Sequence, residues 1–416
     1  MQRTIVGIDV GTTKVCTIVA QVADGGRLNI LGVGVMPSKG LDKGVVVNID
    51  DAVNAITASV EKAERLSGYR IGTAFVGVSG RHISSLNSRG VVAVQRPDHE
   101  ITRNDVARAV ESAQAVAIPT QREIIHVIPR AYVLDGHEGI RDPIGMSGFR
   151  LEVETHIVTG EMMAIQNLIK SVQRTGVEID DLVLQPLASG EAVLTDEDKD
   201  RGVMLVDIGG GTTDVAIFVQ GGVWHTSVIS VGGNHFTNDL TYVLHTPHNT
   251  AEYLKLRYGS AIAGEAPAAG DEQDQIEIET LTVGEQQKIS RHLLNQILQA
   301  RAEQVVELIY NEIRRSGYEG MLPAGIVLTG GAAQLGQFDE LMREMLGMPV
   351  RIGTPTDLSG LADSLDSPSY ATGVGLLRWG ARHGLGMLGP THRSEERQGW
   401  GNVYERFKGW MREFLP

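Results

Sequence analysis

Two short segments, about two hundred residues apart, carry the residue types that hold phosphate. Asp9-Val10-Gly11-Thr12-Thr13-Lys14 and Asp207-Ile208-Gly209-Gly210-Gly211-Thr212-Thr213 each follow an apolar run and close it with Asp, Gly and two Thr. A turn free of side chains lets consecutive backbone N–H groups converge on an anion, and no helix dipole is needed. Threonine hydroxyls add donors. Two aspartates facing each other across such turns suit Mg²⁺, which keeps several of its waters. The spacing therefore predicts that Gly11, Thr12 and Thr13, with Gly209, Gly210, Gly211, Thr212 and Thr213, bind the phosphates of one nucleotide. Asp9 and Asp207 are predicted to hold Mg²⁺ through water. Lys14 is open to two readings, a cation that neutralises phosphate or an ordinary exposed strand residue. One such turn alone reads as a tight hairpin, but two Asp-ended copies do not. Neither is a Walker A loop, because no Gly-Lys-Ser/Thr follows, nor a dinucleotide fingerprint, because a strand rather than a helix comes next. Gly330-Gly331, after the strand-like GIVLT, would let a base and ribose lie close to the backbone.

The elements that must position these turns follow from periodicity. Residues 4–10, 14–22 and 28–35 read as strands. A helix over 50–66 has apolar residues at Val53, Ile56, Val60 and Ala63 and opens after Asp50 or Asp51. A strand over 73–80 follows. Residues 83–159 form an inserted block with a helix over 102–116 that Thr102 can cap. A helix at 161–175, a strand at 182–187 and a further helix come next, with Asp196–Asp200 as a solvated turn. Residues 203–219 then repeat the strand–turn–strand layout of 4–20, and two copies imply two similar lobes rather than a solenoid. The acidic, Ala/Gly-rich stretch 264–279 reads as an exposed loop, 285–316 as a long helix and 384–399 as a flexible linker.

Composition narrows the function classes. Acidic residues outnumber basic ones, 51 to 37, for a net charge of −14, which opposes wholesale nucleic-acid binding. The single cysteine, Cys16, excludes an intramolecular disulfide and suits a reducing cytosol. MQRTIVGIDV runs straight into a strand pattern without signal-peptide features, and no apolar run nears the roughly 20 residues that span a bilayer. A cytoplasmic protein is expected. The twelve histidines show no metal-site spacing, so core or solvated roles are expected for them. Gly77-Val78-Ser79-Gly80 lacks the second spacer of a nucleophile elbow and reads as a strand-end turn.

Residues 400–416, WGNVYERFKGWMREFLP, place Trp400, Val403, Tyr404, Phe407, Trp410, Met411, Phe414 and Leu415 on one helical face. Charged residues fill the other, so the segment would lie in a membrane interface, aromatic side down, rather than cross it. The competing reading is a helix packed on its own body or on a protein partner. A detaching linker and a face crowded with two Trp and two Phe favour the membrane. The segment carries three basic and two acidic side chains, so charge adds little, and several tails on a polymer would bind far more firmly than one.

GIDVGTTK, LVDIGGGTTDVAIF and IVLTGGAAQL, in that order, resemble the two phosphate motifs and the adenosine motif of the actin, Hsp70 and sugar-kinase superfamily of ATP-binding proteins. LVLQPLASGEAVL and SPSYATGVGLL resemble its connecting helices. GVGVMPSKGLDKGVVVNIDDAV, HVIPRAYVLDG, IRDPIGMSGFRLEV and the block at 83–159 are similar to the bacterial cell-division family FtsA. The resemblance implies an α/β, two-lobed actin-like ATPase fold made of duplicated ribonuclease-H-like domains, with an FtsA-type inserted subdomain and a C-terminal amphipathic helix. It implies subdomain 1A at 1–82 and 160–199, 1C at 83–159, 2A at 200–244 and 302–384, 2B at 245–301, a linker at 385–399 and a membrane helix at 400–416. Asp9 and Asp207 match the Mg²⁺-water residues, and the Gly/Thr turns match the phosphate binders. Gly330, Gly331, Glu252 and Lys255 match adenosine contacts. Gln185 stands where fast-hydrolysing relatives place a Glu that orients water, so slow hydrolysis is expected. ATP and Mg²⁺ are the implied cofactors. FtsZ, other copies of the chain, anionic lipids on the cytoplasmic face of the inner membrane and later division proteins are the implied partners. A small-molecule kinase of the superfamily would need a catalytic Asp and a substrate pocket between the lobes, and would have no use for the aromatic tail. An Hsp70-like chaperone would need a β-rich peptide-binding domain after the lobes, and the pilus-assembly relative of FtsA should lack the tail.

Overall fold

The computed structural model describes residues 3–23, 26–265, 274–280 and 286–383, so the linker and the aromatic helix expected at 385–416 lie outside the described residues. Two β-sheets of the same topology form the scaffold. In the first, Arg3–Val10, Lys14–Val22 and Leu28–Pro37 make an antiparallel meander. Thr73–Val78 and then Glu178–Leu184 add parallel to the free side of Arg3–Val10. In the second, Val203–Ile208, Thr213–Val219 and Gly222–Ile229 repeat the meander, with Ile326–Thr329 and Val350–Ile352 added in parallel. The repeated motif is thus a repeated five-strand order, and the first sheet gains one further edge strand, Leu358–Gly360.

The inner strands are buried along nearly their whole length, which is why they read as unbroken apolar runs rather than as alternation. Two helices are exchanged between the lobes. Gln185–Val193 follows the first sheet but packs on the second, against Leu205, Ala216, Phe218 and Val327. Ala371–His383 follows the second sheet but covers the first, against Ile5, Cys16, Ile18 and Phe75. The helices cross at Gly375, where an added Cβ would stand 1.8 Å from the Ala188 carbonyl oxygen. One continuous apolar core therefore joins both lobes.

Residues 83–161 leave the first lobe as a four-stranded antiparallel sheet, in the order Ile83–Ala93, Arg150–Glu161, Arg122–Leu134, His137–Ile140, with the helix Arg103–Gln114 on one face. Thr102 caps that helix in a capping box with Asp105. The block has its own core of Val106, Ala109, Val110, Leu151, Val153 and Ile157.

Several local expectations are corrected. The helix Ile49–Ser67 is capped by Asn48, not Asp50 or Asp51, which sit in its first turn and face the positive end of its dipole. The strand expected at 182–187 runs from Glu178 to Leu184, and helix begins at Gln185, with Pro186 in the first turn, where its missing N–H has no helical partner to lose. Asp196–Arg201 is a short helix capped by Thr195 rather than a solvated turn, anchored by buried Lys199 pairing with Glu191 at 2.6 Å. Within the stretch taken as a loop, Gln275–Glu279 pairs as a strand with Gln286–Ser290, and the long helix starts at Arg291.

Candidate functional site

A cavity of about 520 Å³ lies where the two meanders face each other. Both Gly/Thr turns line it, and they close identically: Gly11 N donates to Lys14 O at 3.0 Å, and Gly209 N donates to Thr212 O at 2.9 Å. The strand registers pair Asp9 with Cys16 and Asp207 with Asp214. Equivalent positions are therefore Gly11 and Gly209, Thr12 and Gly210, Thr13 and Gly211, Lys14 and Thr212. Aligning the two Thr pairs by sequence is two residues out. This explains why Thr213 does not line the cavity: it is fully buried in the strand and donates to Val231 O at 2.8 Å. Asp214, which the sequence reading passed over, does line it.

The turns touch across the lobes. A Cβ at Gly210 would come within 1.8 Å of Thr13 Oγ1, and one at Gly211 within 2.7 Å of Thr12 Oγ1. Glycine at both positions is a steric requirement of this approach. Gly44 N, in the loop before the first helix, donates to Thr12 Oγ1 at 3.1 Å.

The exchanged helices hold the two strand-end aspartates. Gln185 Nε2 donates to Asp9 Oδ1 at 3.0 Å. Asp207 Oδ2 accepts from Ser189 Oγ at 2.5 Å on one helix and from Thr372 Oγ1 at 3.1 Å on the other. Ser189 and Thr372 were not legible as site residues, because nothing marks a helix hydroxyl until its carboxylate partner is known. Gly330 sits against Asp207 with φ +86°, and a Cβ there would lie 2.4 Å from Asp207 Oδ1. Lys14 is not an exposed strand residue. Its Nζ donates to Ser369 O at 2.5 Å and lies 3.8 Å from the centre of the Tyr370 ring, bridging from the first meander to the segment before the last described helix.

Away from the turns, Glu252, Lys255, Gly330 and Gly331 all line the same cavity, with Gly233, Leu335 and Gln334. Lys255 Nζ is fixed by Glu252 at 2.7 Å, Thr237 at 2.8 Å and Gly233 O at 3.1 Å. The structure thus brings together every sequence-predicted site residue of the two lobes except Thr213.

Burial dominates the electrostatics. It pushes Asp9 and Asp214 up to about 7 and raises Asp207, opposed at Asp207 by the Ser189 and Thr372 hydroxyls. It also lowers Lys14. Buried carboxyls held towards their neutral form are short of positive charge, and a divalent cation restores the ionised form. Among the described residues no group of three or more His, Cys, Asp or Glu could hold a metal ion. A hydrated Mg²⁺ entering this cavity would meet Asp9 and Asp207 through its waters. The donor set and the glycine cradle both fit a hydrated cation and phosphate.

Comparison with known proteins gives a consistent pattern. The model of "Cell division protein FtsA" matches residues 204–375, and that of the SHS2 domain inserted in FtsA matches 80–159. The chain is 43% identical to cell division protein FtsA of Pseudomonas aeruginosa, covering 98% of this chain and 97% of the relative. It is 33% identical to FtsA of Escherichia coli K12, covering 99% and 98%. Among solved structures, a chain of the PilM–PilN type IV pilus biogenesis complex has a similar fold at TM-score 0.67 and 14% identity, over 91% of this chain and 98% of that one. MreB5 of Spiroplasma citri, bound to ADP, is similar at TM-score 0.52 and 16% identity, over 91% and 96%. These neighbours share the two-lobed actin-like fold.

Proposed function

Because this chain belongs to the FtsA family of cell division proteins, we propose that it binds ATP with Mg²⁺ between its lobes and uses that state to control its own assembly on a membrane. The observation that carries the reading is the contact of Gly210 and Gly211 with Thr13 and Thr12, which makes one cavity out of two phosphate turns. The structural neighbour MreB5 carries ADP.

In this reading the turns closed by Gly11 and Gly209 present the backbone N–H groups of Thr12, Thr13, Gly210 and Gly211, which bind phosphate with the hydroxyls of Thr12 and Thr13, while the Thr212 hydroxyl is held by Asp214. Thr213 supports the turn from behind through Val231. Lys14 neutralises phosphate charge, Asp9 and Asp207 hold the waters of Mg²⁺, and Glu252, Lys255, Gly330 and Gly331 frame the adenosine. ATP supplies the terminal phosphate that only closed lobes can surround. Gln185, tied to Asp9, orients water without acting as a carboxylate base, so turnover is slow. The lobes are subdomains 1A and 2A with 2B, and 83–159 is 1C.

Closure favours polymers of the chain. Polymers gather the aromatic tails at 400–416, whose Trp400, Val403, Phe407, Trp410, Met411, Phe414 and Leu415 enter the cytoplasmic face of the inner membrane. FtsZ filaments and later division proteins are then held at the division site. No described helix is long and apolar enough to cross a membrane.

Co-sedimentation with anionic vesicles tests this, run with and without Mg-ATP, residues 400–416 and FtsZ. The expected result is ATP-dependent pelleting that needs the tail and carries FtsZ with it. Tail-independent pelleting would remove the anchoring step, and ATP-independent pelleting would remove the control.

A further inference from the structure

The cavity wall contains a third carboxylate with no assigned part. Asp214 is fully buried on the second strand of the second lobe, opposite Asp207. Thr212 Oγ1, in the turn two residues before it, donates to its Oδ2 at 3.1 Å. Its Oδ1 accepts from Ser79 Oγ, which belongs to the first lobe at the end of the strand Thr73–Val78. Ser79 is itself buried.

Around this bond the first lobe supplies a closed set of contacts. Gly44, with φ +75°, is pressed so close to Ser79 that a Cβ would lie 2.5 Å from the Ser79 carbonyl oxygen. Gly44 N donates to Thr12, and Thr12 abuts Gly211 in the second lobe. The path Thr12–Gly44–Ser79–Asp214–Thr212–Gly211 therefore leaves one phosphate turn and returns through the other. It crosses the lobe boundary twice, once by turn-to-turn packing and once by a hydrogen bond to a buried carboxyl. If the lobes part, Thr12 exchanges a packing contact for solvent, but buried Asp214 loses one of its two hydroxyl donors. Leaving a buried acceptor short of a partner is costly, so this bond selects one lobe separation.

We propose that Ser79 and Asp214 are a positioning pair, fixing the lobe separation at which the two turns grip a nucleoside triphosphate. The proposal rests on the nucleotide reading of the same cavity. Ser79 touches neither the adenosine-side residues nor the strand-end aspartates through any of these bonds, so it acts through Asp214 and Gly44. The apolar core that joins the lobes is built from other residues, so loss of the pair leaves the fold standing.

The test measures Mg-ATP affinity and nucleotide-free melting temperature in the full chain for wild type, Ser79→Ala, Asp214→Ala and the double variant. Loss of a hydrogen bond to a buried carboxyl predicts about tenfold weaker Mg-ATP binding in Ser79→Ala. The double variant should bind no more weakly than Asp214→Ala alone, because the same tie has already gone. The nucleotide-free melting temperature of Ser79→Ala should fall only slightly, because Thr212 still donates to Asp214. Unchanged affinity in Ser79→Ala would overturn the proposal. So would a fall in melting temperature that accounts for the lost binding, since that is a structural role only. So would fully additive losses in the double variant. Failure of the wild type itself to bind Mg-ATP would instead overturn the nucleotide reading.

Discussion

Gln185 Nε2 and Asp9 Oδ1 are joined by a 3.0 Å hydrogen bond, so the first residue of an exchanged helix is fastened to the carboxylate that ends the opening strand. The amide faces the cavity from a fixed position and cannot become a base. Gln185→Ala should slow single-turnover ATP hydrolysis by about tenfold or more. Its Mg²⁺ requirement should rise, because Asp9 loses a donor. Quench-flow with radiolabelled ATP measures the first and a Mg²⁺ titration the second. Unchanged hydrolysis would take Gln185 out of water orientation.

Gly375 has no room for a side chain. Its Cβ would stand 1.8 Å from a backbone oxygen, Ala188 O, so relief requires the helices to separate. Gly375→Ala should destabilise the protein by about 1–3 kcal/mol, the usual range for overpacking, or more. Thermal unfolding should show the loss, and a wild-type melting temperature would mean the crossing is looser than described here. Gly26 and Gly68, at positive φ with open space around them, should tolerate Asn far better.

Asp9 and Asp214, raised to about 7, set a pH dependence whose sign is fixed. A carboxyl raised in the folded state binds its proton more tightly there than in the unfolded chain. Stability is therefore lost as pH rises through about 7. Buried His82, His126 and His156, lowered to about 4, 3 and 3, act in the opposite sense over an overlapping range and offset the carboxyls in overall stability. The rise in melting temperature that Mg-ATP confers should therefore grow as pH rises towards about 7 and then level off, because binding no longer has to displace the carboxyl protons. Calorimetry in buffers of different ionisation enthalpy should show protons released on binding near pH 7. Proton uptake would reverse the assignment.

The tail prediction separates anchoring from nucleotide binding. Trp410→Glu or Phe407→Glu puts a charge on the apolar face and should abolish vesicle co-sedimentation. Mg-ATP affinity should stay unchanged, because the cavity is built from other residues. Full vesicle binding by either variant would favour the alternative in which this face packs on protein.

How much was legible in the sequence depended on whether the signal was local. The paired turns, the repeated strands and the Thr102 cap rest on residues within a few positions of one another, and all three formed as expected. Matching the repeat by residue type places Thr213 at the cavity, which it does not line, and passes over Asp214, which does. Only the hairpin register shows that Lys14, not Thr12, corresponds to Thr212. Ser189, Thr372 and Ser79 act through partners up to 165 residues distant in the chain, and no spacing rule reaches that far. Asn48 displaced the expected aspartate caps because its side chain alone reaches Asp51 N from the non-helical position.

The exchanged helix Ala371–His383 has a consequence for the order of events during synthesis. The first sheet is made early, yet the helix that seals Ile5, Cys16, Ile18 and Phe75 is encoded some 350 residues later. A nascent chain that has emerged only as far as Pro349 carries both phosphate turns but holds an unsealed apolar face on its first lobe. That face is a natural landing place for a ribosome-associated chaperone. The lobe closes when residues 371–383 leave the exit tunnel, and the aromatic segment at 400–416 follows directly behind. The helix that completes the cavity and the segment proposed to enter the membrane thus emerge in the same closing moments of translation, so a product truncated before residue 371 lacks both together.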